Sequence, residues 1–189
     1  MRRSWATFIV AVLLLGSCSD NGGGDDDGAS LGVTEPPTPV TAPPMPAPSP
    51  AGTGVVVIGG SSSSFAITSC RLAADPAEPA EAQTLALVTG SGSTAGGVPF
   101  SIEVKRFATG AEVKTFTDTV AYIDTARILQ AQRIEVNGQV RDLRDPKAST
   151  SLIRTREDGL AAGGLAGPPG SDADADGTVG FAIDATCQP

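Results

Sequence analysis

Eight prolines between Pro36 and Pro50, in EPPTPVTAPPMPAPSP, divide this chain into parts that obey different rules. Proline fixes φ, lacks an amide hydrogen and favours an extended polyproline II path, so no helix or central strand runs through the tract. The stretch before it, NGGGDDDG, is glycine-rich and acidic. Neither stretch offers enough apolar surface to offset the entropy of ordering it. Residues 18–53 are therefore expected to be a disordered linker, a spacer that lifts a following domain away from an anchor point. A proline-rich ligand for a partner domain would need specificity residues around the prolines, and none is recognisable.

The chain opens MRRSWATFIVAVLLLGSCSD. Arg2 and Arg3 give a positive start, Trp5 to Leu15 form an apolar run, and the small residues Gly16 and Ser17 lead into Cys18. That order is the order of a secretory signal. The run falls well short of the ~20 residues that span a bilayer, so a permanent transmembrane helix is not expected. Leu15-Gly16-Ser17-Cys18 resembles the lipobox of bacterial lipoproteins, in which the signal is cut before the cysteine and the thiol is diacylated. The expectation is a signal peptide over 1–17 and a lipid on Cys18. Two acyl chains, at about 0.8 kcal/mol per buried methylene, hold a protein on a membrane durably. The expected location is the extracytoplasmic face of the cell membrane.

Cleavage removes two arginines and leaves 11 basic and 21 acidic residues, a net charge of −10. Nucleic-acid affinity comes from neutralising phosphates with Lys and Arg, so nucleic acid is excluded as a partner class. Residues 54–189 have the length of one domain. They hold five phenylalanines, one tyrosine and no tryptophan, so the core must come mainly from Val, Ile, Leu and Ala. A core that thin benefits from a covalent staple. With Cys18 committed to lipid, Cys70 and Cys187 remain, and an exported protein meets an oxidising environment. The expectation is a Cys70–Cys187 disulfide, the alternative being two independent thiols.

Phe100, Ile102 and Val104 alternate with Ser101, Glu103 and Lys105, and Phe181, Ile183, Ala185 and Cys187 alternate with Ala182, Asp184 and Thr186. Both patterns read as half-buried strands. Val55–Ile58 and Phe65–Cys70 read as strands joined by a GGSSSS loop, and Thr84–Thr89 as a strand before the turn GSGSTAGG. Val113–Ile123 continues the β-branched and aromatic enrichment. Cys70 lies on the opposite parity from Phe65 and Ile67, which predicts a bulge or a strand end between them. Asn137-Gly138 predicts a hairpin. A two-residue turn there would set Gln139 and Arg141 on the face of Val136 and Ile134, so a different register is expected. Thr125–Gln132 is the one candidate helix, with strand as its alternative. The stretches 71–83 and 157–178 read as loops. The predicted fold is mainly β, an antiparallel sandwich or partly open barrel closed by the disulfide.

The chain has no histidine, which removes Ser-His-Asp and Cys-His catalysis and imidazole metal sites. No pair of carboxylates is singled out by spacing, so no catalytic, cofactor or metal residue is assigned and an enzyme is not expected. Asp172-Ala173-Asp174-Ala175-Asp176-Gly177 reproduces half of a calcium loop, but Ile183 stands where the bidentate acid belongs, and the stretch reads as a solvated loop. Gly90-Ser91-Gly92 reads as a turn rather than a phosphate cradle.

The lipobox at Cys18, the Gly/Thr/Pro spacer, the opening VVVIGGSSSSFAITSC and the closing VGFAIDATC together resemble the mycobacterial 19-kDa lipoprotein antigen family. The likeness covers both ends of the chain, and the middle, including RIEVNGQVRDLRDP, does not match. The resemblance implies an envelope lipoprotein with a disulfide-closed β domain and no known enzymatic activity. It also implies partners such as an envelope protein or a host receptor. The function expected is non-catalytic display or interaction from a membrane anchor. The alternative is a carrier that binds a lipid or small molecule in the β domain.

Overall fold

A computed structural model of the chain describes residues 39–171 and 176–188. The expected signal peptide and Cys18 lie outside the described residues. Ten strands follow one another: β1 (Thr53–Ile58), β2 (Ser61–Arg71), β3 (Ala82–Ser93), β4 (Pro99–Thr109), β5 (Thr115–Asp124), β6 (Ile128–Val136), β7 (Gln139–Asp142), β8 (Ile153–Thr155), β9 (Gly159–Ala166) and β10 (Val179–Thr186). They form one antiparallel sheet in the order β7-β6-β5-β4-β3-β2-β1-β10-β9-β8. β1 to β7 are a simple meander, and β10 returns to pair with the free side of β1. The sheet curls until β6 reaches the chain just past β9, where Gln130 and Gly167 exchange backbone hydrogen bonds of 2.7 and 3.1 Å. The result is a half-barrel, the β architecture expected, and no helix occurs among the described residues.

Period-two alternation explains the curl, because each strand sends every second side chain into one shared interior. Opposed residues Cys70, Val88, Val104, Val120 and Ala131 form one inward row across β2 to β6. Phe181, Ile183 and Leu160 fill the interior from the other wing and are at most 2% exposed. Phe100 and Tyr122 stack with centroids 5.2 Å apart. Phe65 lies flat over two glycines. A Cβ at Gly54 would sit 2.2 Å from its ring, and one at Gly90 would sit 2.5 Å away. The bulge anticipated before Cys70 is present between Ile67 and Ser69.

Several local expectations are corrected. Thr125–Gln132 is not a helix. Asp124 accepts from the amides of Ala126 and Arg127, which closes a turn, and β6 then buries Leu129 and Ala131 alternately. Asn137-Gly138 is a strict two-residue turn, with φ of 52° and 75° and Val136 opposite Gln139. The register that the apolar pattern disfavoured wins because the inward face of this hairpin carries an ion pair. Ile134 is left 37% exposed on the outside. Gly59-Gly60 alone makes the first turn, and Ser61–Ser64 belong to β2. Gly90–Ser93 likewise belong to β3, where Gly90 and Gly92 make room for Phe65 and Phe100. The stretch after Glu157 holds β9, a glycine–alanine strand whose small side chains let β10 and Leu152 approach closely.

The linker boundary also departs from expectation. From Thr41 to Pro50 the proline tract lies along the outer face of β9 and β10 as a strap. That face carries the small residues Ala161, Gly163, Gly180 and Ala182 beside Leu165 and Asp184. A Cβ at Gly180 would meet the Thr41 carbonyl oxygen at 2.1 Å, and one at Gly163 would meet Met45 Sδ at 3.1 Å. Both faces of β10 are consequently buried, including Ala182 and Asp184, which its alternation placed in solvent.

Candidate interaction site

Of the residues singled out in the sequence, Cys70 and Cys187 are brought together. They form a disulfide with their Cα atoms 6.0 Å apart, tying β2 to the end of β10. Cys18 lies outside the described residues, as do Asp172 to Ala175 of the calcium-like stretch. Among the described residues, no three metal-ligating side chains cluster.

The structure reveals two polar arrangements that were not assigned. The first is a rung across the inner face of β4 to β7, where Arg106, Asp118, Arg133 and Asp142 stand opposite one another in turn. Arg133 Nε meets Asp142 Oδ2 at 2.9 Å, and the Nε of Arg106 lies 3.7 Å from Asp118 Oδ1. Alternating charge on adjacent strands is the favourable arrangement for directly opposed pairs. The rung also fastens the segment that closes the half-barrel. Arg133 Nη1 donates to the Thr150 carbonyl at 2.6 Å, the amide of Ile153 donates to Asp118 Oδ2 at 3.1 Å, and Ser151 Oγ bonds Glu135 at 3.1 Å. Burial holds the Asp118 carboxyl above its ordinary range, against the pull of Arg106. Each carboxylate here is held by a guanidinium or an amide, so the rung works as a clasp.

The second arrangement fastens the strap. Asp184 points out of the sheet beneath the tract and is 3% exposed. Its Oδ1 accepts from the Ser49 amide at 3.1 Å, and its carboxylate pairs with Arg156. The hydrogen bond to Asp184 raises the Arg156 guanidinium above its ordinary value. Ser49 is correspondingly buried. No pattern in the proline tract marks Ser49 as different from its neighbours. The only signal is Asp184 in line with the small residues Gly180 and Ala182 on the outward face of β10.

At one end of the half-barrel the turns Gly59-Gly60, Thr94–Gly97 and Thr125–Arg127 gather around an open depression of about 230 Å³. Val56, Ile58, Ser61 to Ser63, Tyr122 and Arg127 line it. Burial raises the Tyr122 hydroxyl's pKa, and Arg127 lies over its ring at 5.8 Å. The opposite end carries the disulfide, the 72–81 loop, the Gly110–Lys114 turn and the Asn137-Gly138 turn. No family model matches this chain, and neither a curated protein nor a solved structure does.

Proposed function

We propose that this protein is a non-catalytic lipoprotein, held on the outer face of a membrane through Cys18, whose β domain serves display or interaction. The observation that carries this reading is the Cys70–Cys187 bridge. It uses two of the chain's three cysteines and leaves Cys18 as the third, at the lipobox position behind Gly16-Ser17. Structural disulfides belong to exported proteins. The likeness of both chain ends to the mycobacterial 19-kDa lipoprotein antigens supports the same reading.

The carrier alternative is less well supported. Val88, Val104, Ala86 and Leu160 fill the half-barrel with 0% exposure, which leaves a carried molecule only open surface depressions. The test is processing and fractionation of wild type and Cys18→Ala. Wild type is expected in the membrane fraction with its first seventeen residues removed, and the variant is expected as the uncut precursor. Identical processing and fractionation of the two would overturn the proposal.

A further inference from the structure

Resting on the lipid-anchor reading, we infer that the turn end of the half-barrel, with Val98, Ile123 and Ile128, is the surface that lies against the lipid bilayer. β1 starts toward the disulfide end, so a tether running straight into it would leave the protein there. The strap changes this. From the turn at Pro50, where the Thr53 amide donates back to the Pro50 carbonyl at 3.1 Å, the chain runs backward past Asp184 and Gly163 to Gly180. Gly180 sits beside the Gly59-Gly60 turn, its carbonyl accepting from the Gly59 amide at 3.0 Å. The polypeptide leading to Cys18 therefore departs from the turn end, opposite the disulfide.

The surface there suits an apolar neighbour. Val40 precedes the strap's first contact, Val98 stands in the β3–β4 turn, and Ile123 and Ile128 flank the β5–β6 turn. These are four of the eight large apolar side chains left exposed among the described residues, at 46, 36, 45 and 49%. The disulfide end shows two, Val113 and, near the Asn137-Gly138 turn, Ile134, at 49 and 37%. Cys18 and Thr38 are 20 positions apart, which spans at most about 70 Å, so reach alone selects no orientation. The aliphatic rim selects one orientation. The contact is apolar rather than electrostatic, because the loop between β9 and β10 carries Asp172, Asp174 and Asp176. It therefore persists when salt is raised.

The experiment uses the lipidated mature chain in vesicles of phosphatidylcholine with a minor share of phosphatidylglycerol. A fluorescent residue replaces either Ala95 at the turn end or Glu112 at the other, and energy transfer to a headgroup acceptor is read. β4, eleven residues long, extends about 36 Å between the two ends, so the efficiencies should differ several-fold. Stronger transfer from position 95, lost in the Val98→Ser/Ile123→Ser/Ile128→Ser variant that still sediments with vesicles, is the expected result. Equal transfer, or stronger transfer from position 112, in sedimenting protein overturns the orientation alone. A wild-type chain that stays in the supernatant overturns the anchor and the orientation together.

Discussion

Arg133 and Asp142 face each other across the β6–β7 hairpin, inside the half-barrel, with side chains only 6 and 1% exposed. Asp142 also accepts from the amides of Arg144 and Asp145, so it closes the hairpin's exit as well. Removing one partner of a buried pair leaves the other charge uncompensated, which costs about 3–5 kcal/mol. Asp142→Ala should lower unfolding stability by that amount in urea titration. The double replacement Arg133→Met/Asp142→Leu should recover much of the loss. A single-variant loss below ~1 kcal/mol would show that the pair lies open to water.

Asp118 gives the fold a pH dependence of known sign. Burial raises its pKa, so the folded state binds its proton more tightly than the unfolded chain does. Stability from this group is full below the ordinary carboxylate value of 3.8 and is lost as pH rises through the raised value. Asn at this position keeps an oxygen for the Ile153 amide but cannot ionise. Asp118→Asn should therefore gain stability relative to wild type between acid and neutral pH. Denaturation at the two pH values checks this, and a gap that shrinks with rising pH would contradict it.

The strap should come away separately from the sheet. Gly180→Ala would drive a methyl into the Thr41 carbonyl, while the inward side of β10, with Phe181 and Ile183, is untouched. Hydrogen exchange at the Ser49 amide should quicken about tenfold, or ~1.4 kcal/mol of local opening, with β3 and β4 amides unchanged. Uniform quickening across the sheet would instead make the strap inseparable from the core.

The disulfide closes a loop across 117 positions, and chain-entropy reasoning assigns such a bridge roughly 4–5 kcal/mol. Cys70→Ser/Cys187→Ser should fold less stably by about that amount in the same urea titration. A double variant as stable as wild type would place the fold's stability in the sheet alone.

Much of this architecture was legible because strand alternation is local. Phe100, Ile102 and Val104 announce their face without reference to anything distant. The Asn137-Gly138 turn sets the pairing of the charged residues as well as that of its apolar flanks. A two-residue turn pairs Val136 with Gln139 and so, three steps on, Arg133 with Asp142. The apolar outward residues Ile134 and Val136 argued against that register, and a buried ion pair decided for it. β9 was hidden because GLAAGGLA has neither β-branched nor aromatic residues. Its glycines serve contacts with Leu152, Ala185 and the strap that no single segment reveals. The strap was hidden for the same reason, since proline composition describes a free tract and says nothing of a glycine–alanine face built to receive it.

The proposed membrane anchoring turns on the chemical state of the protein's amino terminus. Intact mass analysis of the protein extracted from its own membranes, without reduction, reads that state directly. The prediction is a chain beginning at Cys18, heavier by a thioether-linked diacylglycerol, with Cys70 and Cys187 resistant to alkylation. A chain that still carries Met1 to Ser17, or an unmodified Cys18 thiol, would contradict it.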